Sequence, residues 1–315
     1  MTDSGQQSSS ESSAADKKRA TNNGSSKKEL RILMLHGYTQ SGPLFRAKTR
    51  ALEKLLQKAL SPLGLVPTLI YPTAPNRLSA RDVPGYVPPP PADEGGSAEA
   101  EAEADDSDSW AWYRKDEATG AYRLLDAGMR RLAETMRDVV GRAQPPPEPS
   151  SSSSPPGVGW GGIDGVVGFS QGGSMAAMLA AAMETLPPPA AAAGSGPGPG
   201  SDPAPPPREA PLGADWDWVG AVREANGGVP LRFAVVYSGF YAPPAELAWL
   251  YEPPISTPTL HFIGSLDTVV DESRSQGLVA RCEDPVVAVH PGGHYVPISK
   301  QWVMPLVGFI QKCVS

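Results

Sequence analysis

Three residues of this chain stand where they could form a nucleophile, its base and an orienting acid. The serine is Ser170, in Gly168-Phe169-Ser170-Gln171-Gly172, which fits Gly-x-Ser-x-Gly. Attack by a hydroxyl needs an accessible Oγ, and this pattern supplies one on a tight strand-to-helix turn between small residues. A helix opening just afterwards also aims its first N–H groups at the site. About 0.3 chance matches are expected in a chain of this composition, so the context must decide. An apolar run, Ile163–Phe169, ends directly before the serine, and an Ala/Met-rich helical segment follows it.

A serine nucleophile needs a base, and the base needs an acid to hold it. The chain has four histidines. His36 precedes the serine, His261 alternates with Leu260 and Phe262 as a buried strand residue would, and His290 ends a strand. His294 lies in Pro291-Gly292-Gly293-His294-Tyr295, a turn able to carry an imidazole over a sheet edge, and is preferred over His290. Asp267 follows the strand Thr259–Ile263 and is the preferred acid. Asp271 reads as a helix N-cap and Asp284, before Pro285, as a turn residue. The order Ser170, Asp267, His294 is that of α/β-hydrolases, not of the chymotrypsin or subtilisin types.

Acyl transfer also needs donors for the developing oxyanion. The N–H of Gln171, next after the serine, is one candidate, and the N–H of Tyr38, in the loop His36–Gly42, is the other. Aromatic residues at strand ends could line an acyl pocket, which singles out Trp112, Phe240 and Tyr241.

These residues need a frame. Leu30–Leu35, Leu65–Tyr71, Ile163–Phe169, Leu231–Tyr237, Thr259–Ile263 and Val286–Val289 read as short, buried strands. Between them, helical spacing marks segments from Pro43 to Leu60, Leu124 to Val140, Ser174 to Leu186, Asp271 to Arg281 and Ile298 to Cys313. In the last of these, Pro305 should start or kink the helix. Alternation repeated this often predicts an α/β class chain with a mainly parallel sheet of about six strands flanked by helices, and the order Ser170, Asp267, His294 makes it the α/β-hydrolase fold. Ligands of such sheets sit at the carboxyl ends of strands, where the candidate residues fall.

Pro and Gly occupy 69 of the 315 positions, far above the roughly 12% of an average protein. Residues 84–108, 143–162 and 187–213 hold 33 of them, and residues 1–28 form a Ser-rich polar tail. The expected organisation is therefore a disordered tail, 1–28, and a single domain, 29–315, with three low-complexity insertions. What lies outside tail and insertions is long enough to bury one sizeable core, which excludes wholesale disorder. The net charge is −7, but Asp93–Asp108 alone carries eight acids and no base. The remainder is near neutral, with no basic face for nucleic acid. Two cysteines, Cys282 and Cys313, exclude a disulfide framework and fit a reducing compartment. The first residues have no apolar core of a secretory signal, and the longest apolar stretch, Met175–Met183, is too short to span a bilayer. A cytoplasmic protein, with the nucleus as a second location, is expected.

The combined motifs resemble the fungal serine hydrolase family, related to the ovarian-cancer-associated serine hydrolase of animals. The resemblance rests on Leu35–Gly42 with Phe45-Arg46-Ala47-Lys48-Thr49, on Gly165–Gly173, on Tyr237-Ser238-Gly239-Phe240, and on Gly264–Val269 with Gly292–Pro297. Where relatives often carry Gly-Asp-x-Asp, this chain has Gly264-Ser265-Leu266-Asp267. The resemblance implies a small α/β-hydrolase acting on carboxylic esters or thioesters, with Ser170, Asp267 and His294 as its triad. Some members of the family look like thioesterases that release polyketides.

The expected activity is hydrolysis of an ester or thioester through an acyl-enzyme, releasing a fatty acyl or polyketide product. No metal and no organic cofactor is called for. The expected partner is a small-molecule ester or thioester, or an acyl chain on a carrier protein, with no nucleic acid and no membrane span. The alternatives are an acyl-protein thioesterase or lysophospholipase-like activity and, from another class, an inactive hydrolase-fold binding protein.

Overall fold

Apolar side chains alternate along β1 (Lys28–Leu35), and the two sets enter different cores. Leu33 and Leu35 pack on one face, while Leu30, Ile32 and Met34 pack on the other. A strand buried on both faces must be covered on both, which requires helices above and below the sheet. A computed structural model describes residues 27–83, 85, 87, 108–142, 161–184 and 209–315. The polar tail and most of the three Pro/Gly-rich insertions lie outside the described residues.

The main sheet has six parallel strands: β1, β2 (Leu65–Ile70), β3 (Gly165–Phe169), β4 (Phe233–Tyr237), β5 (Thr259–Gly264) and β6 (Val286–His290). Their spatial order is β2-β1-β3-β4-β5-β6. Pro67 lies in β2, an edge strand, where a missing ladder donor is tolerated. One face is covered by α1 (Gly42–Leu60) and α6 (Lys300–Val314), which bury Phe45, Leu52, Leu56, Leu306 and Ile310. The other is covered by α2 (Leu125–Arg142), α3 (Gln171–Met183) and α4 (Asp217–Ala225). A short helix, α5 (Glu272–Val279), follows β5 and is capped by Asp271, whose side chain accepts from the Arg274 N–H. This three-layer arrangement is the α/β-hydrolase fold that the alternation of strands and helices predicts.

Three details differ from the sequence reading. Helix α3 begins at Gln171 rather than near Ser174, because the turn at Ser170 passes straight into it. Helix α4 has no counterpart in the sequence reading; it is nine residues long and buries only Trp218, Val219, Val222 and Ala225. Pro305 neither starts nor ends α6, which runs through it. The proline removes one N–H, but Val303, Leu306, Val307, Phe309 and Ile310 seat the helix on the sheet around it.

The chain passes from β1 to β2 on one side and later enters β3 on the other, so strand order reverses between β1 and β3. The loops leaving their carboxyl ends diverge there and open a crevice. Among the described residues, no helix is long and apolar enough to cross a membrane.

Helix α3 is buried on all sides, and Met178 has no accessible surface. Met178→Ala should lower the unfolding free energy by about 2–5 kcal/mol through the cavity it leaves, read as a lower urea midpoint with an unchanged slope.

Candidate active site

Ser170 follows β3 directly and adopts φ 55°, ψ −117°, a conformation rare for any residue with a side chain. Such strain amounts to roughly 1–3 kcal/mol and persists only where the surroundings enforce it. Here the Ser170 N–H donates to Tyr237 O at 2.9 Å, tying the turn to β4. Its carbonyl accepts from the N–H groups of Gly173 and Ser174 at 2.9 and 3.1 Å, starting α3. A Cβ on Gly172 would lie 2.2 Å from Leu35 O and 2.5 Å from His36 O, so only glycine fits where the turn meets β1.

His294 bridges Ser170 and Asp267. Its Nε2 lies 3.0 Å from Ser170 Oγ and its Nδ1 2.8 Å from Asp267 Oδ2. Asp267 Oδ1 accepts from the N–H groups of Val269 and Val270, each at 2.9 Å, which fixes the carboxylate plane. Burial raises the Asp267 carboxyl, but hydrogen bonds from His294 and the Val270 and Val269 amides outweigh it and hold it below the usual value. The loops carrying Asp267 and His294 are locked together. Ser265 N–H donates to His290 O at 2.9 Å and Leu266 N–H to Gly292 O at 3.0 Å. A Cβ on Gly264 would meet Gly292 O at 2.5 Å, so the loops could not close with a side chain there. His290, the other strand-end histidine, is buried between Tyr295 and Trp302, and neither ring nitrogen has a partner among the described residues.

The loop after β1 is held by a buried imidazole. His36 Nε2 accepts from the Ala74 N–H at 3.0 Å, which leaves the proton on Nδ1, donated to Gly37 O at 2.8 Å. Burial pushes this imidazole down to about 4, against smaller opposing effects of the Gly37 carbonyl and Asp108, so it is neutral near pH 7. In the loop, Gly37 N–H meets Gln40 Oε1 at 3.3 Å and Thr39 N–H meets Trp110 O at 3.0 Å. The Tyr38 N–H has no partner among the described residues. Gln171 is the first residue of α3, so its N–H lacks an intrahelical acceptor.

Residues 25–306 match the family described as serine hydrolase (FSH1). The chain belongs to the FSH1 serine hydrolase family. It is 28% identical to Family of serine hydrolases 2 of Saccharomyces cerevisiae, over 89% of this chain and 97% of that one. It is 27% identical to Esterase OVCA2 of Xenopus tropicalis, over 86% of this chain and 87% of that one. Among solved structures, Zea mays acyl-protein thioesterase 2 is 18% identical, with a TM-score of 0.45, covering 92% of this chain and 95% of that one.

In this FSH1-family enzyme a cavity of about 770 Å³ opens on Ser170. Tyr38, Gln171 and Phe240 line it, with Tyr113, Tyr122, Val269 and Val270. Trp112 does not, contrary to expectation. It is completely buried and acts beneath the site: its indole Nε1–H donates to His36 O at 2.9 Å and its ring packs 5.0 Å from that of His36. Tyr241 also stands off the cavity, against Tyr251 and under the Arg281 guanidinium, 3.7 Å from its ring. Two roles escaped the sequence reading. The Gln171 side chain accepts from Trp112 N–H at 2.8 Å and donates to Tyr113 O at 2.9 Å, joining the turn to the aromatic segment. The charged wall, Arg81, Asp82, Arg114, Lys115, Glu117 and Arg274, had no motif to reveal it: Arg81 and Asp82 sit in a three-residue 3₁₀ turn, and Arg114, Lys115 and Glu117 in or beside a strand of two residues.

Gln171→Ala would leave the Trp112 N–H and Tyr113 carbonyl unpaired in a buried place. The expected loss is about 2 kcal/mol of stability in urea unfolding, together with a lower kcat. The acid limb of stability has a separate origin. His36 and His261 are both held near 4 by burial, below the ordinary 6.5, so the unfolded chain binds more protons between these values. Stability should therefore fall as pH drops from about 6.5 to about 4, by about 1.4 kcal/mol per unit for each histidine. Urea melts across that range should show a shallower slope in His261→Leu.

Proposed function

We propose that this enzyme cleaves a carboxylic ester or thioester through an acyl-enzyme. The observation that carries this reading is the unbroken line from Ser170 Oγ through His294 to Asp267. With the His294 Nδ1–H donated to Asp267, Nε2 presents its lone pair to the Ser170 hydroxyl. As Oγ bonds to the carbonyl carbon, its proton passes to Nε2 and the C=O electrons move onto oxygen. The N–H groups of Tyr38 and Gln171 receive that charge; as it returns to re-form C=O, the C–O or C–S bond breaks and the imidazolium gives its proton to the leaving oxygen or sulfur, which departs as alcohol or thiol. Water, deprotonated by His294, attacks the acyl-enzyme and releases the acid and free Ser170. Asp267, kept ionised by its hydrogen bonds, holds the tautomer and balances the imidazolium.

Phe240, Val269 and Val270 give the cavity apolar wall for a fatty acyl or polyketide chain, presented free or on a carrier protein. The free thiols Cys282 and Cys313 suit a reducing cytoplasmic or nuclear setting.

Labelling with a fluorophosphonate, beside hydrolysis of p-nitrophenyl esters of graded chain length, tests the assignment. Ser170→Ala should lose labelling and turnover. His294→Ala and Asp267→Asn should each lower kcat by about 10⁴-fold, whereas His290→Ala should still label. Equal labelling of wild type and Ser170→Ala would overturn the nucleophile. Survival of activity in His294→Ala but not His290→Ala would exchange the base. Turnover of an acylated protein but of no small ester would favour an acyl-protein thioesterase.

A further inference from the structure

Six charged side chains line the cavity that opens on Ser170, and their charges do not cancel. Its two acids are each paired with a base of the same wall: Asp82 with Arg114 at 3.1 Å, and Glu117 with Lys115 at 3.2 Å. Arg81 and Arg274 are left over. Arg81 has no hydrogen bond or ion pair among the described residues. Arg274 is held in place and forms no salt bridge among the described residues. Its guanidinium lies 4.4 Å over the Phe240 ring, and Nη1 donates to Val269 O at 3.2 Å. Asp271 feels its charge but does not pair with it: Asp271 Oδ1 accepts from the Arg274 backbone N–H at 3.1 Å and the Ser273 hydroxyl at 2.5 Å.

Two guanidinium groups that form no salt bridge among the described residues, on the wall of a cavity that opens on Ser170, suit one kind of ligand. Guanidinium donates its N–H groups in a planar fork that fits carboxylate or phosphate oxygens. Stacking on Phe240 restricts Arg274 before any ligand arrives, which reduces the ordering cost of binding. A neutral ester gains nothing from these charges. We propose that the substrate of this enzyme carries an anionic group, carboxylate or phosphate, received by Arg81 and Arg274 while its acyl carbonyl lies at Ser170. The proposal rests on Ser170 as the nucleophile and adds the charge class of the substrate. The anion can sit at the far end of the acyl chain or on the leaving group.

Two matched pairs separate these sources. p-Nitrophenyl hydrogen adipate against p-nitrophenyl hexanoate tests a carboxylate on the acyl chain. Butyryl-coenzyme A against the butyryl N-acetylcysteamine thioester tests phosphate on the leaving group. Wild type should prefer the anionic member of at least one pair by about tenfold in kcat/KM. That ratio should shrink as salt rises from about 20 to about 500 mM, and approach one in the double variant Arg81→Gln, Arg274→Gln. Which pair shows the preference identifies the source. Ser170-dependent turnover of the neutral members without preference in either pair would overturn this inference and leave the serine mechanism standing. A preference that persists in the double variant, with its fold confirmed by circular dichroism, would overturn the assignment to these arginines. Turnover independent of Ser170 would remove the reading beneath both.

Discussion

Gly172 approaches the carbonyls of Leu35 and His36 so closely that no side chain fits between them. This contact fixes how near the turn after β3 comes to the loop after β1, and much of the site follows from it. It brings Gln171 and Tyr38, from segments far apart in sequence, to the wall of one cavity. It also constrains Ser170 between β3 and α3, so that its unusual backbone conformation is enforced by neighbours on both sides. The Trp112 indole and the Gln171 side chain then fill and bridge the space beneath, each hydrogen bonded to the backbone of a different segment.

The two histidines nearest the site, His36 and His294, differ in burial and in partners. His36 is deeply buried, neutral, and committed on both nitrogens to backbone groups, so it serves as a fixed strut. His294 remains partly accessible, and its two nitrogens face a hydroxyl and a carboxylate. The same side chain thus takes different work according to whether its partners are backbone or ionisable. The close Gly264–Gly292 approach serves the second pair as Gly172 serves the first, holding the two loops in register without a side chain between them.

The sequence revealed most where one physical cause acts over a short span. The inner strands β1, β3, β4 and β5 are short apolar runs because a parallel strand covered on both faces needs no polar alternation, whereas the edge strand β6 keeps an apolar run although Val286, Val287 and Val289 are exposed. Ser170, Asp267 and His294 could be singled out because each lies just past a strand, where glycine-rich turns must occur. The misplaced aromatics have a different cause. Trp112 and Tyr241 have the composition of a pocket, but only tertiary packing decides whether a ring faces a cavity or a core. The Gln171 bridge and the paired charges of Arg114 with Asp82 join segments dozens of residues apart, and no local pattern encodes such a meeting. Helix α4 was hidden for a simpler reason: nine residues with four buried positions give too few turns for periodicity to stand out.

Topology also distinguishes the three insertions from one another. Helix α3 starts at the carboxyl end of β3 and runs back toward the amino end, so Glu184, its last described neighbour, stands away from Ser170. The same holds for Gly161, which stands at the entrance to β3. The first insertion is different. Val83, near its start, lines the cavity, and Trp110, just past its end, pairs with Arg77 and bridges to Gln40 in the loop carrying Tyr38. The described residues that flank the first insertion therefore meet the cavity wall and the loop carrying Tyr38, whereas Glu184 and Gly161 stand toward the amino end of the sheet.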